Sequence, residues 1–301
     1  AAKKQNASQV TIYGQEVNGS SVAMAKMNMY IHEIRDAKIA WGDTLANPAF
    51  KDDDGNLLLF DAIVANMPFS KDKWAAGFNP GGEAVGSGVK QFKMEPSLDR
   101  YHRFDWGVPP ASKGDWAFLL HMIKSLAIDG TIAAVAPHGV LFRGSAEGKI
   151  RQRVIEENIL DAVIGLPENL FYGTSIPACI LVFKKGRKTD DILFIDASKK
   201  DENGDLRYIK ATNQNELGEK HIDDIIKAYK NRADVDKFAH VATLEEIREN
   251  DFNLNIPRYV DTFEEEELID IEEVQKSIAD LKIEIAEAEA KMDEYLRALG
   301  L

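Results

Sequence analysis

Ala62-Ile63-Val64-Ala65-Asn66-Met67-Pro68-Phe69-Ser70 joins an apolar, β-branched run to a turn made of an amide, a proline and an aromatic ring. The run has the length of a strand, and its apolar residues on both sides of the alternation fit a strand covered on both faces. Runs of similar character stand at Val10–Tyr13, Lys38–Trp41, Thr131–Ala136, Leu160–Leu166 and Ala178–Phe183. Between them lie segments of helical period. Ala23, Met27, Tyr30, Ile31 and Ile34 share one face, as do Trp116, Leu119, Leu120, Ile123 and Ala127, with Asp115 a candidate N-cap for the second helix. This alternation predicts an α/β fold built on a doubly wound, mainly parallel sheet. Such sheets bind ligands beyond the carboxyl ends of their strands.

The residues just after each strand therefore carry the chemical reading. Asn66 offers a side-chain carbonyl, and the residue before Pro68 is biased to extended backbone, which aims the carbonyl of Met67 outward. Two acceptor oxygens converging on one NH₂ group would hold both its protons and free the nitrogen lone pair, while Phe69 offers a flat face to a planar base. The bland alternative is a plain turn. Gly14-Gln15-Glu16 follows the first strand, where a carboxylate could accept from two ribose hydroxyls; a solvated Glu is the alternative. Trp41-Gly42-Asp43-Thr44 follows the second, where glycine allows close approach of a ligand and Asp43 could accept from an amino group; an ordinary Gly-Asp turn is the alternative. Residues 70–114 lack periodicity and are rich in glycine, a length of irregular chain that points to function or disorder. His121, His138 and Cys179 read as structural, and Lys184-Lys185-Gly186-Arg187-Lys188 as either a phosphate contact or a solvated loop. No metal-ligand spacing and no phosphate loop is present.

With 45% hydrophobic and 29% charged residues, the 301-residue chain has an ordinary globular composition. No stretch approaches the roughly 18 apolar residues of a membrane span, and a single cysteine excludes a disulfide framework, so a reducing, cytoplasmic setting is expected. The net charge of −13 is concentrated: residues 260–301 hold fourteen acids and four bases, which leaves −3 for the rest. The overall sign thus neither requires nor forbids DNA as a partner. In the acidic tail, Ile271, Val274, Ile278, Leu281, Ile285, Ala288, Met292, Tyr295 and Leu299 are spaced alternately three and four apart, the a/d seam of a coiled-coil helix. A helix of about 35 residues reaches about 50 Å, which suits docking to another chain or domain. Gly186–Asp191 reads as a turn, Ile192–Ile195 as a strand, and Ile222, Ile225, Ile226 and Tyr229 as a helix face. The expected organisation is a catalytic domain over 1–185, an extension of its sheet over 186–259, and the coiled-coil helix over 260–301.

Asn66-Met67-Pro68-Phe69 resembles the Asn-Pro-Pro-aromatic motif of amino methyltransferases acting on adenine N6 in DNA. More closely, the chain resembles the modification subunit of type I restriction-modification systems. Tyr13-Gly14-Gln15-Glu16, Ala25-Lys26-Met27-Asn28-Met29, Trp41-Gly42-Asp43-Thr44 and Ala117-Phe118-Leu119-Leu120-His121 carry that resemblance. So do Ala136-Pro137-His138-Gly139-Val140-Leu141-Phe142, Leu166-Pro167-Glu168-Asn169-Leu170-Phe171 and Asn253-Leu254-Asn255-Ile256-Pro257-Arg258-Tyr259. It implies the sheet of S-adenosylmethionine-dependent methyltransferases, with Glu16 on the cofactor ribose and Asp43, beside Thr44, on its adenine. It implies that Asn66 and the main-chain oxygen of Met67 receive the target amine, that Phe69 stacks on a flipped adenine, and that Phe171 closes the opposite face. The implied partners are double-stranded DNA, a DNA-recognition (specificity) subunit, a second modification subunit and a translocating restriction subunit, with no metal and no membrane. Two departures stand out. Met67 replaces the usual proline, which predicts a somewhat looser loop. The glycine-rich turn that wraps the methionine part of the cofactor has no counterpart here, and the chain opens at Ala1-Ala2-Lys3-Lys4 without an initiator Met, so a fragment of a longer subunit is expected, inactive and unable to bind the cofactor tightly alone. A non-catalytic assembly module or remnant is the alternative; a dinucleotide-dependent oxidoreductase would use Glu16 but leave Asn66–Phe69 unexplained.

Overall fold

The structure, a computed structural model, describes residues 10–78, 94–172, 174–201 and 203–261, with scattered helical positions between Gln275 and Leu296. The chain divides into two compact units between Thr262 and Phe263. In the first, strands β1 (Tyr13–Glu16) and β2 (Lys38–Trp41) pair in parallel, with Tyr13 opposite Lys38 and Glu16 opposite Trp41. A second sheet holds β3 (Phe60–Asn66), β4 (Leu126–Pro137), β5 (Leu160–Gly165), β6 (Ala178–Lys184), β7 (Ile192–Asp196) and β8 (Ala239–Ala242), in the order β3-β4-β6-β5-β7-β8. Strands β3, β4, β5 and β7 run the same way, while β6 lies antiparallel between β4 and β5 and β8 antiparallel at the edge. The sheet is therefore mixed. The described residues of 166–177 contain no helix, and a parallel return normally needs a helical crossover, so β6 comes back beside β5 in the opposite sense.

Side-chain alternation gives this sheet two dry faces. Leu160 and Val163 of β5, Leu181 and Phe183 of β6, and Phe194 of β7 pack in one core with Trp116, Leu119 and Leu120 of α2 (Asp115–Lys124) and Ile150 and Val154 of α4 (Ser145–Glu156). Ala162, Ile164, Val182, Leu193 and Ile195 face the other way and pack with Ala228 of α5 (Glu219–Asn231). Val64 of β3 is 84% exposed, so the cover on that second face does not extend to β3 among the described residues.

Several expectations shift. The first strand begins at Tyr13, three residues later than its apolar run, because its pairing with β2 draws in Gly14-Gln15-Glu16. Helix α1 (Gly19–Ile31), capped by the Asn18 side chain, buries only Val22; Met27, Tyr30 and Ile31 on its apolar stripe are exposed, since no described element packs on them. Ala127 belongs to β4, and Gly114 rather than Asp115 caps α2. Within 70–114, Trp74, Phe104 and Arg103 are buried and two short 3₁₀ turns form at Ala76–Phe78 and Pro96–Leu98, while residues 79–93 lie outside the described residues. Strand β7, α5, β8 and α6 (Leu244–Glu249) belong to the first unit. In the second unit, the seam positions Ile278, Leu281, Ile285, Ala288 and Met292 are helical and exposed; Ile271, Val274, Tyr295 and Leu299 lie outside the described residues.

Candidate active site

Asn66 ends β3 opposite Val135 of β4 and is exposed. The next side chain, Met67, is 6% exposed and sits in the principal core, so packing anchors the turn where a looser loop was expected. Pro68 is exposed and Phe69 half-buried, its ring 6.1 Å from that of Phe171 at an interplanar angle of 83°. Ser70 takes a left-handed conformation (φ +50°), and its amide donates to Asp115 Oδ1 at 2.6 Å. Arg143 Nη1 donates to the other oxygen of Asp115 at 3.0 Å. The sequence offered no sign of this pairing: Asp115 stands 45 residues from Ser70 and looked like a helix cap.

Of the two candidate acids, Glu16 ends β1 and Asp43 lies in the turn just after β2. Glu16 Oε1 accepts from the Asn18 amide at 2.7 Å, and the Gly42 amide donates to the Glu16 carbonyl at 3.0 Å. Asp43 Oδ1 accepts from the amides of Leu45 (2.9 Å) and Ala46 (3.1 Å), which shapes the turn after β2 and fixes the carboxylate. Thr44 directs its hydroxyl to the Gln15 carbonyl at 3.5 Å, a tie between strands rather than a group aimed outward. Gln15 supports the same turn from β1, donating to Asn47 O and accepting from Ala49 N, both at 2.9 Å.

One short loop connects Asp43 to the Asn66 turn. Leaving Ser70, the chain exchanges backbone bonds with 111–114 (Gly114 N to Lys71 O at 3.0 Å, Lys73 N to Ala111 O at 2.9 Å), buries Trp74, and reaches Gly77. A Cβ at Gly77 would stand 2.5 Å from Ala46 Cβ and 3.0 Å from Asp43 Oδ2. Below the loop, buried Arg103 donates to the Leu45 carbonyl at 2.7 Å, pairs with Asp99 at 2.8 Å, and lies 3.2 Å from His121 Nδ1. Burial and the neighbouring Arg103 cation push His121 down to about 3, which keeps the ring neutral, and burial pushes the Cys179 thiol up. His138 Nε2 lies 3.0 Å from the Ala178 carbonyl. Most of the basic group contacts the protein itself: Lys184 and Arg187 pair with Asp161, and Lys185 donates to the Leu126 carbonyl, while Lys188 is exposed. Among the described residues no group of His, Cys, Asp and Glu could hold a metal ion, and no helix is long and apolar enough to cross a membrane.

One carboxylate at the end of β1, another just after β2 and an Asn-X-Pro-Phe turn at the tip of β3 make up the candidate site. The family model described as N-6 DNA Methylase matches residues 1–268, and the chain belongs to that family, whose cofactor is S-adenosylmethionine. It is 32% identical over 299 residues to the type I restriction enzyme MjaVIII methylase subunit of Methanocaldococcus jannaschii, covering 97% of this chain and 48% of that protein. It is 31% identical to the HindI methylase subunit of Haemophilus influenzae, over 99% of this chain and 64% of that one. A crystal structure of a type I restriction-modification methyltransferase subunit from Streptococcus thermophilus matches with a TM-score of 0.72 and 42% identity, over 87% of this chain and 51% of the other. The chain thus spans about half the length of the first of these curated relatives.

Proposed function

We propose that this chain is the catalytic part of a type I modification subunit that methylates the N6 amino group of an adenine extruded from double-stranded DNA. The observation that carries this reading is the Asn66–Phe69 turn at the tip of β3 with the Phe171 ring beside it. Asn66 Oδ1 and the Met67 carbonyl accept the two amino protons and draw the nitrogen towards tetrahedral geometry, which exposes its lone pair. Phe69 holds the ring plane, and an adenine inside a duplex reaches such a site only by leaving the stack. Two rings sandwiching a base need about 7 Å between them, two contact layers of about 3.5 Å each. With the rings meeting edge to face at 6.1 Å, Phe171 turns or withdraws as the base enters.

S-adenosylmethionine supplies a methyl group on a sulfonium that is already a leaving group, so no nucleophilic side chain is required. The donor set fits part of it: the fixed Asp43 carboxylate suits the adenine amine and Glu16 the ribose hydroxyls, while no glycine-rich turn for the methionine end occurs in these residues. The exposed seam residues of the C-terminal helix support docking to a partner chain, which we assign to the DNA-recognition subunit; a second modification subunit and a translocating restriction subunit complete the assembly. The test is methyl transfer from labelled S-adenosylmethionine to target DNA by the full-length subunit with its recognition partner. Wild type transfers label and Asn66→Ala does not. Retained transfer in Asn66→Ala removes Asn66 from the mechanism, and no transfer by the wild-type assembly favours an assembly module instead.

A further inference from the structure

The turn that presents Phe69 ends in a residue whose backbone needs outside support. Ser70 is left-handed at φ +50°, a conformation that a residue with a Cβ adopts only when its surroundings impose it. The imposing group is Asp115, whose side chain is fully buried. One of its oxygens takes the Ser70 amide at 2.6 Å, and the other stands 3.5 Å from the Ser70 hydroxyl and 3.0 Å from Arg143 Nη1. A buried carboxylate is sustained only when its charge is met, and Arg143 meets it, helped by Asp115's position in the first turn of α2.

Arg143 is itself held in place. Its carbonyl accepts from Arg151 Nη1 at 2.8 Å, and its own Nη1 lies 3.5 Å from Glu147 Oε1. Its guanidinium lies across Gly139, where an added Cβ would stand 2.2 to 2.4 Å from it. The segment that follows β4 is thereby coupled to the tip of β3 through two side chains and one glycine.

We infer that Asp115 and Arg143 are positioning residues for the amino-methylation reaction: they lock Ser70, and through it set the direction of the Phe69 ring and of the two acceptor oxygens at Asn66 and Met67. Gly139 is the space the lock requires. This inference rests on the methyl-transfer reading for its kinetic consequence but not for its structural one, and the experiment separates the two. In the full-length subunit assembled with its recognition partner, Asp115→Asn keeps an oxygen for the Ser70 amide and loses the charge that recruits Arg143. Gly139→Ala touches no part of the turn and displaces the guanidinium. Both are expected to lower kcat for methyl transfer by about tenfold or more, the scale of a small misplacement of reacting groups. The KM for DNA and the Kd for S-adenosylmethionine are expected to change less than about twofold, the signature of an effect confined to the reacting geometry. Hydrogen exchange of peptides covering 66–72 becomes faster in both variants, and Arg143→Lys recovers part of the rate lost in Arg143→Ala. Wild-type kcat in Gly139→Ala, or unchanged exchange over 66–72 in both variants, overturns the inference, as does a kcat loss matched by equal losses in cofactor and DNA binding. If Asp115→Asn does not fold, Gly139→Ala decides alone. If the wild-type assembly transfers no methyl group, the functional reading fails, and the exchange measurement still decides whether the lock exists.

Discussion

At the scale of the residue, Gly77 makes the sharpest demand. The nearest atoms to a Cβ there are Ala46 Cβ at 2.5 Å and Asp43 Oδ2 at 3.0 Å, the first of them a side chain with no freedom to swing away. Gly77→Ala is expected to push the Asp43 turn from its place and weaken S-adenosylmethionine binding by roughly tenfold, about 1.4 kcal/mol, as read by calorimetry on the full-length subunit. Unchanged affinity would separate Asp43 from the cofactor. The turn residues Asn66 to Phe69 were legible in the sequence because they are contiguous and a proline restricts their backbone. The residues that hold them were not. Asp115, Arg143 and Gly139 act through space across strands and helices, and a single sequence carries no trace of pairing between positions so far apart. Met67 was legible as a departure from the usual proline but not in its effect, since the burial of its side chain follows from packing.

At the scale of the element, the strands were legible as apolar runs, while the sense of β6 and the exposure of α1 were not, because orientation and cover are decided by what lies alongside. The ionic cluster at the start of β5 shows the same dependence. Asp161, with a side chain 6% exposed, is met by Arg187 (3.1 Å), Arg232 (3.2 Å) and Lys184 (3.4 Å), and the Tyr229 hydroxyl donates to it at 2.5 Å. It ties β5 to the turn before β7 and to the end of α5. Burial works to raise its pKa, but the Tyr229 hydrogen bond and the cations Arg232, Lys184 and Arg187 outweigh that and hold it below the ordinary aspartate value. Asp161→Asn is expected to cost about 3 kcal/mol near neutral pH, since it leaves buried cations short of a partner. An acid with a depressed folded-state pKa contributes fully above its unfolded value and loses that contribution as pH falls through the folded one. The gap between wild type and variant should therefore narrow below about pH 4. Urea unfolding at pH 7 and at about pH 3 checks both the size and the sign.

At the scale of the whole molecule, charge and apolar surface are distributed in a way the composition hinted at. Most of the −13 lies from residue 260 onward, and every buried hydrophobic residue described lies at or before Val260. Deleting residues 264–301 is expected to leave the melting temperature of the first unit within about 4 °C, the shift that about 1 kcal/mol gives in a domain of this size, while abolishing capture of the recognition subunit in a pull-down. Retained capture would assign docking to another surface. The loop from Ser70 to Gly77 bears on how any such variants combine. Its two ends answer to different elements, one to the carboxylate after β2 and the other to the buried acid of α2, with only six residues between them. Gly77→Ala and Asp115→Asn should consequently act on different quantities, the first on cofactor affinity and the second on kcat. In the double mutant each loss should appear in its own readout at the size seen in the single variant, because each end of the loop is held by its own partner.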